Sequence, residues 1–159
     1  MIAYFLLGPP ASGKSSWRDA YLAGTSQPTT VISTDDLIEE WANEHGLTYT
    51  EAFGKVNFRA IEAEAIERLR DAVSKGNNII IDRTNMKLKS RNMFHKLIPM
   101  TYEKHAVVFD VPRDELQRRL YARAKATGKH IPINVVDDMI AGYAAPQPGE
   151  FKSIQKVSS

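Results

Sequence analysis

The amino-acid sequence predicts a three-layer α/β fold, in which helices cover both faces of a mainly parallel sheet of about five strands. Short β-rich runs alternate with longer stretches of helical periodicity along the 159 residues. Several runs are apolar without alternating polar residues, as expected for parallel strands covered on both faces. With 43% hydrophobic residues and no shift in composition, the chain is expected to form a single domain over residues 1–159.

Five segments have the composition and length of buried strands. They are short, rich in β-branched and aromatic residues, and bounded by residues that favour turns. The fifth has the weakest pattern. The predicted strands are Ile2 to Leu7, Thr30 to Ser33, Asn78 to Asp82, His105 to Asp110 and Phe151 to Val157.

The segments between these strands have helical periodicity. Ser33 or Thr34 is suited to cap the second helix, and Gly46 breaks the pattern after it. The longest helix has an apolar stripe and ends at Gly76, as in a glycine C-cap. The predicted helices are Lys14 to Ala23, Asp35 to Glu44, Val56 to Ser74, Lys89 to Ile98, Asp114 to Lys125 and Ile133 to Tyr143.

Composition excludes several classes of protein. The absence of cysteine excludes disulfides, thiolate metal sites and a cysteine nucleophile, and the four histidines lack the spacing of zinc ligands. The apolar run Met1 to Pro10 has no basic segment before it and leads into a glycine loop, unlike a signal peptide. No apolar run can cross a bilayer, so we expect a soluble, cytoplasmic protein. A net charge of +2 neither demands nor excludes a nucleic-acid partner.

One segment matches the phosphate-binding pattern G-x-x-x-x-G-K-[ST], and it lies between a predicted strand and a predicted helix as that pattern requires. Glycines let the backbone N–H groups turn toward phosphate oxygens, and the helix N-terminus adds further donors. The match therefore predicts a P-loop NTPase of the kinase type that uses ATP. The predicted ATP-binding residues are Gly8, Pro9, Pro10, Ala11, Ser12, Gly13, Lys14, Ser15 and Ser16.

Two residues of this loop have distinct predicted roles. Lys14 is expected to bridge the β- and γ-phosphates, and the Ser15 hydroxyl to ligate Mg²⁺. An apolar strand that closes on Asp82 resembles a Walker B element, so Asp82 is a second candidate for holding the metal. The sequence thus predicts that ATP and Mg²⁺ bind together.

Ligands of parallel sheets lie at the C-terminal ends of the strands, so polar residues there are candidates for binding the phosphoryl acceptor. Asp35 is placed to be the general base for a hydroxyl acceptor, although either it or its neighbour also suits the first turn of a helix. The residues after the third strand also suit a simple turn. The candidate acceptor-binding residues are Asp35, Asp36, Arg83, Thr84 and Asn85.

A basic segment around residues 113–131 is predicted to form a lid over the nucleotide. Arg119 and Arg123 are four residues apart on one helical face and are candidate catalytic and ATP-binding residues, because guanidinium groups grip phosphoryl oxygens. The alternative is a solvated basic face. The cluster comprises Arg113, Arg118, Arg119, Arg123, Lys125 and Lys129.

Several aromatic residues could provide a platform for a nucleobase, although residues at such positions more often belong to the core. The sequence alone leaves both interpretations open. The residues are Trp17, Trp41, Tyr49, Phe53 and Phe58.

Five segments together resemble the kinase domain of phage T4-type polynucleotide 5′-kinases, which are P-loop kinases of the AAA_33 type. The resemblance covers Ile2 to about Tyr143. The matching segments are Gly8 to Trp17 (GPPASGKSSW), Asp35-Asp36, Asp82-x-Thr84-Asn85, Phe109-Asp110-Val111-Pro112 and Ile131-Pro132-Ile133.

This resemblance implies that Asp35 is the general base and that Arg119 and Arg123 clamp phosphates. T4-type enzymes also carry a phosphatase domain, which is not expected in these 159 residues, and a phage-encoded protein would act in the host cytoplasm. The family has arginines where this chain has Thr34 and Ile38, so the acceptor is expected to be held differently.

The leading hypothesis is an ATP-dependent kinase that phosphorylates the 5′-OH of DNA or RNA, with Asp35 and Lys14 at its centre. A related branch of phage kinases phosphorylates hydroxymethylated pyrimidines in DNA, and this is the first alternative. A small-metabolite kinase and a non-catalytic nucleotide-sensing module are further alternatives. Sequence does not discriminate DNA from RNA, the preferred nucleotide donor or the oligomeric state.

Overall fold

The central element of the structure is one five-stranded sheet in which every strand pair is parallel. The computed structural model describes residues 1–158. The strands are β1 (Ile2–Leu7), β2 (Thr29–Ile32), β3 (Asn78–Asp82), β4 (Glu103–Asp110) and β5 (Ser153–Ser158). Their spatial order is β2-β3-β1-β4-β5, which confirms the predicted parallel α/β fold.

Seven helices connect the strands in the described part of the chain. The six predicted helices are present with ends shifted by up to two residues, and α3 was not predicted. The helices are α1 (Lys14–Gly24), α2 (Thr34–Glu44), α3 (Tyr49–Phe53), α4 (Phe58–Ser74), α5 (Leu88–Leu97), α6 (Arg113–Thr127) and α7 (Ile133–Ala141).

Helices cover both faces of the sheet. Phe5 and other side chains on one face of β1 pack against α4 and α5, through Leu69 and Phe94. Leu6, on the other face, packs in a cluster with Trp17 and other aromatic residues of α1. Because both faces are covered, the strands have the unbroken apolar pattern seen in the sequence.

Local capping explains where several helices begin and end. The Ser33 hydroxyl accepts a hydrogen bond from the backbone N–H of Asp36 at 3.2 Å, as predicted for the cap of α2. Gly76 follows α4 with φ +68°, and the Asn77 N–H donates to the Ala72 carbonyl, which completes the expected glycine C-cap.

The fifth strand begins two residues later than predicted. Phe151 packs in the core against Phe5, with ring centroids 5.3 Å apart, and the strand pairing starts with Ser153 opposite His105. The aromatic residue that suggested a strand start is therefore a core contact before it.

A buried arginine holds the segment before β5. The Arg91 side chain is fully buried and donates to Glu150 at 2.7 Å and to the backbone carbonyls of Asn85, Ala144 and Ala145. Because each N–H vector finds an oxygen, the buried guanidinium is satisfied by hydrogen bonds. This cluster fixes the C-terminal segment against α5.

Candidate active site

The loop between β1 and α1 is closely packed against its surroundings. Gly13 has φ +103°, which only glycine adopts readily. A Cβ atom on Gly8 would lie 2.5 Å from the Ser12 hydroxyl and 3.0 Å from the Cβ of Phe109, so a side chain there would clash. Both glycines of the motif are thus required by the backbone geometry.

The ammonium group of Lys14 lies inside this loop. It donates to the carbonyl oxygens of Gly8 at 2.8 Å and Pro9 at 2.7 Å. Burial lowers the pKa of Lys14 to about 8, although the charges of Asp82 and Asp35 act in the opposite direction. The lysine is therefore positioned beside the phosphate-binding backbone and is poised to lose its proton above neutral pH.

The loop forms one wall of a cleft of ≈ 500 Å³ at the C-terminal ends of the strands. The cleft is mostly polar and contains both the candidate base and the candidate arginines. The predicted site residues that line it are Pro10, Ala11, Gly13, Lys14, Ser15, Ser16, Asp35, Asp36, Asp82, Arg83, Thr84, Arg119 and Arg123.

Asp35 lies at the start of α2 with an exposed side chain, and both of its oxygens have partners. The Tyr49 hydroxyl donates to Oδ1 at 2.7 Å, and Lys129 Nζ lies 3.5 Å from Oδ2. Burial and the negative charge of Asp35 raise the pKa of Tyr49, so its hydroxyl is a neutral donor. The carboxylate is thus held in one orientation toward the cleft.

Lys129, a member of the basic cluster predicted to form the lid, is only 4% exposed, so the alternative of a solvated basic face does not apply to it. Its ammonium lies 3.9 Å from the centroid of the Tyr49 ring and 3.6 Å from Glu39 Oε1, in addition to Asp35. The Gly128 carbonyl also accepts a hydrogen bond from the Thr50 hydroxyl at 2.9 Å. The loop after α6 therefore contacts α3 directly across one side of the cleft.

Asp82 is a buried carboxylate beside the loop, and Arg18 donates to its Oδ2 at 2.8 Å. Burial raises the pKa of Asp82, while Lys14 and Arg18 oppose the increase. Burial likewise raises the pKa of Asp36, which lies 3.4 Å from the same guanidinium. Arg18 thus bridges Asp82 at the end of β3 and Asp36 at the start of α2.

The oxygen donors near the loop suit magnesium, which proteins bind through one or two carboxylates together with substrate phosphates. Asp82 and the Ser15 hydroxyl both line the cleft next to Lys14. Within residues 1–158, no group of three or more His, Cys, Asp or Glu side chains is arranged to hold a metal ion without such a substrate. The residues present therefore fit a metal that arrives with a nucleotide.

Helix α6 brings two arginines to the cleft. Arg119 donates to the Ala11 carbonyl at 3.2 Å and to Glu115 at 2.8 Å, so it reaches the phosphate-binding loop. Arg123 lies one turn further along the same face and lines the cleft. Hydrogen bonds from Arg118 and Arg119 lower the pKa of Glu115 to about 2, so this acid is charged at neutral pH.

Other members of the basic cluster lie elsewhere. Arg113 pairs with Asp137 of α7 at 2.8 Å, and Arg118 is exposed and pairs with Glu115 at 2.6 Å. Lys125 is exposed, with its ammonium 4.9 Å from the centroid of the Tyr121 ring. These three side chains do not line the cleft.

Some predicted site residues have structural contacts instead. Asn85 was expected to bind the acceptor, but it is buried, and its amide donates to the carbonyls of Leu6, Ile81 and Arg83. Its side chain joins the ends of β1 and β3 and does not reach the cleft. Three residues of the phosphate loop also do not line the cleft, namely Gly8, Pro9 and Ser12.

The other two candidates after β3, Arg83 and Thr84, line the cleft but also make structural contacts. Arg83 lines the cleft, yet it pairs with Glu62 at 3.0 Å and its guanidinium lies 4.7 Å from the centroid of the Phe94 ring. The backbone carbonyl of Thr84 accepts a hydrogen bond from the Gly8 N–H at 2.9 Å, which ties this turn to the phosphate loop.

The aromatic residues divide into three groups. Trp17 stacks on Tyr21 in the core, and Trp41 stacks on His45 at the end of α2. Tyr49 contacts Asp35, as described above. Phe53 and Phe58 are 49% and 51% exposed.

This chain is similar in sequence to part of a plant protein. The chain is 29% identical over 111 residues to the transcription factor bHLH140 of Arabidopsis thaliana, a match that covers 70% of this chain and 10% of that protein. The chain thus spans about a tenth of the length of this relative.

Solved structures share the fold. A chain from the Pnkp1/Rnl/Hen1 RNA repair complex matches with a TM-score of 0.72 and 22% identity, covering 88% of this chain and 43% of that one. A putative kinase from Chloroflexus aurantiacus matches with a TM-score of 0.68 and 17% identity, covering 99% and 84%. A gluconokinase from Sinorhizobium meliloti gives 0.60 and 14%, covering 99% and 82%.

A family model described as "AAA domain" (AAA_33) matches residues 4–146. This range includes the phosphate-binding loop, α6 and the candidate acids Asp35, Asp36 and Asp82. None of the helices between residues 1 and 158 is long and apolar enough to cross a membrane. The chain therefore belongs to the AAA_33 family and has the fold of a P-loop kinase.

Proposed function

We propose that this protein transfers the γ-phosphoryl group of ATP to a hydroxyl of nucleic acid, with the 5′-OH of DNA or RNA as the acceptor. The observation that carries the proposal is the position of Asp35, which lies in the same cleft as Lys14 and is held by Tyr49 and Lys129. A carboxylate opposite a phosphate-binding loop is the arrangement that phosphoryl transfer to a hydroxyl requires.

The proposed reaction is an in-line displacement. Asp35 takes the proton of the acceptor hydroxyl, whose oxygen forms a bond to the γ-phosphorus while the bond to the β–γ bridging oxygen breaks and ADP leaves. Lys14, Arg119 and Arg123 bind the phosphoryl oxygens as negative charge moves toward ADP. Closing segment 113–131 over the cleft would exclude water that otherwise hydrolyses ATP.

Magnesium bound with ATP would neutralise charge on the phosphates. The Ser15 hydroxyl and the Asp82 carboxylate are the residues proposed to hold it. Arg18 donates to Oδ2 of Asp82 at 2.8 Å, and this contact helps to hold the carboxylate beside the loop. In this proposal Arg18 is a positioning residue for Asp82.

Lys129 offers a cation on the acceptor side of the cleft. Ile38 is 2% exposed and packs in the core below α2, and Thr34 is neutral, so neither position supplies a charge to an acceptor phosphate. Lys129 is fixed beside Asp35 instead. We propose that it attracts the phosphate of the acceptor nucleotide, and the likeness to a chain of an RNA repair complex agrees with this acceptor.

A small polyhydroxy acceptor is the second candidate. Three acids, Asp35, Asp36 and Glu39, line the acceptor side, and carboxylates are good partners for sugar hydroxyls. The fold is also shared with a gluconokinase and a sugar kinase. A hydroxymethyl group on a pyrimidine in phage DNA is a further acceptor with the same chemistry.

An acceptor screen with γ-labelled ATP and magnesium separates these candidates. The acceptors are 5′-OH oligonucleotides of DNA and RNA, a 5′-phosphorylated DNA oligonucleotide that contains 5-hydroxymethyluracil, and gluconate. We expect label on the 5′-OH oligonucleotides. Label on the modified base or on gluconate alone would reassign the acceptor, and ATP binding without any labelled product would indicate a nucleotide-sensing module.

A further inference from the structure

Three aromatic rings form a continuous row on the surface beside the cleft. The ring centroids of Tyr49 and Phe53 are 6.0 Å apart, and those of Phe53 and Phe58 are 5.1 Å apart. We call this row the aromatic strip. It runs from α3 across the α3–α4 connection to the first residue of α4.

The inner end of the strip touches the candidate base. The Tyr49 hydroxyl donates to Asp35 at 2.7 Å, and Phe53 lies one turn along α3 on the same side. The strip therefore leads from the reacting end of the cleft outward to the protein surface. A chain molecule whose end lies at Asp35 would pass over Phe53 and then Phe58.

The outer part of the strip is exposed. Phe53 and Phe58 each have about half of their surface open to solvent, at 49% and 51%. Large apolar side chains that remain exposed next to each other form a patch suited to a binding partner. Their edge-to-face contact occupies one face of one ring, and the remaining exposed surface of both rings is open to a stacking partner.

Positive charges flank these rings. Lys55 and Arg59 are exposed, and neither forms an ion pair with any other residue between positions 1 and 158. Glu51, the acid of α3, accepts a hydrogen bond from the Thr48 N–H in a capping box, and hydrogen bonds with Thr48 together with the charge of Lys55 lower its pKa. Exposed rings interleaved with exposed cations match a partner that has flat bases and a negative backbone.

We propose that the aromatic strip binds single-stranded nucleic acid, with bases of the acceptor strand stacked on Phe53 and Phe58 and its phosphates near Lys55 and Arg59. This inference rests on the proposed function and deepens it, because it specifies an unpaired strand as the acceptor. A small sugar acceptor at Asp35 would fill the cleft without reaching Phe53 and Phe58.

The first test measures binding without turnover. A fluorescent 5′-OH oligodeoxythymidylate is titrated by anisotropy against the wild type, Phe53→Ala, Phe58→Ala and the double variant. We expect about tenfold weaker binding for each ring removed, and a Kd that rises with salt. Phe53→Trp should retain binding. Met100→Ala is the matched control, because Met100 is 97% exposed and is not part of the strip.

The second test measures transfer. In the alanine variants KM for the oligonucleotide should rise about tenfold, while KM for ATP stays unchanged. The rate with a nucleoside 3′-monophosphate should also stay unchanged, because this acceptor is too short to reach Phe53 and Phe58. Wild-type transfer to 5′-OH ends with unaltered oligonucleotide affinity in the double variant would overturn the inference and leave the proposed function intact.

Other outcomes are equally informative. If no acceptor is labelled but the rings are still needed for oligonucleotide binding, the proposed function fails and the strip remains a nucleic-acid site. If sedimentation shows a dimer that the double variant loses, and oligonucleotide binding does not depend on the rings, the strip is a contact between two copies of this chain.

Discussion

The protonation of an individual side chain in the cleft depends on the charges of its neighbours. Burial lowers the pKa of Lys14; the charges of Asp82 and Asp35 raise it, and those of Arg123 and Lys129 lower it further. Such clusters of coupled groups in a cleft are typical of catalytic sites. Changes of single residues should therefore separate donor binding from phosphoryl transfer.

Replacing the candidate base tests its role directly. Asp35→Asn keeps the size of the side chain and removes the proton acceptor, so kcat should fall by about a hundredfold or more. ATP affinity, measured by calorimetry, should stay within a few-fold of the wild type, since Asp35 lies across the cleft from the phosphate loop. Turnover close to the wild-type rate would refute the assignment.

The pH dependence of ATP binding should report Lys14. Its pKa of about 8 means that the ammonium loses its proton above that pH, while bound phosphates favour the charged form. The Kd for ATP is therefore expected to be constant below about pH 7.5 and to rise up to tenfold per unit above pH 8. Calorimetry at pH 7, 8 and 9 measures this, and a Kd that is flat across the range contradicts it. Lys14→Arg should remove the dependence, because arginine stays charged.

At the scale of elements, the cleft is bounded by two segments that touch each other. The loop after α6 contacts α3 through Gly128 with Thr50 and through Lys129 with Tyr49. α3 has only five residues, and its capping box at Thr48 and Glu51 secures its first turn. These contacts connect the position of the candidate base to that of segment 113–131.

Removing the cation at this contact should affect the acceptor more than the donor. Lys129→Met leaves Asp35 without its ionic partner, and we expect kcat/KM for the acceptor to fall roughly tenfold with little change in ATP affinity. Lys129→Arg should restore part of the activity. Lys125→Met is the control, because Lys125 is exposed on α6, outside the cleft; an equal loss in both variants would argue against a specific role.

Elements with strong patterns could be predicted from the sequence, and short ones could not. The first four strands of the chain and the long helix α4 have patterns that burial imposes, and their predicted ends differ from the structure by at most two residues. The helix α3 was missed because five residues contain too little periodicity, although Thr48 followed by Glu51 was a usable capping signal.

In the candidate site, too, only residues that belong to a local sequence pattern could be predicted. The phosphate loop was predictable because its spacing follows from local backbone geometry. Arg18 and Tyr49 were not assigned, since their partners lie 64 and 14 residues away, and no local pattern indicates such contacts. Lys129 was assigned to the predicted lid, but its burial beside Asp35 was not predicted, because it depends on α3 lying against it.

At the scale of the whole molecule, the C-terminal strand depends on one buried ion pair. Arg91 and Glu150 are 0% and 6% exposed, and Arg91 also bonds the backbone at Ala144 and Ala145. Burial alone would raise the pKa of Glu150, but hydrogen bonds from Arg91 and the Gln147 N–H hold it below its usual value. The stability from this acid is therefore present at neutral pH and is lost as the pH falls through that lowered pKa.

Breaking this pair should unfold the protein more readily. Glu150→Gln leaves the buried guanidinium without a counter-charge, and a loss of about 3–5 kcal/mol in the free energy of unfolding is expected from urea titration at pH 7. Glu103→Gln is the control, because the ion pair of Glu103 with Lys152 also joins the β4 and β5 region but is exposed. That change should cost less than about 1 kcal/mol. Similar losses in both variants would refute the role of burial.

The side-chain amide of Asn85 has a mechanical consequence. By binding carbonyls at the ends of β1 and β3, it fixes the distance between the strand that leads into the phosphate loop and the strand that ends in Asp82. These two parts of the cleft are thus held at a fixed separation, on the side where the triphosphate is proposed to bind. During the proposed reaction we therefore expect movement on the other side of the cleft, in segment 113–131 and α3.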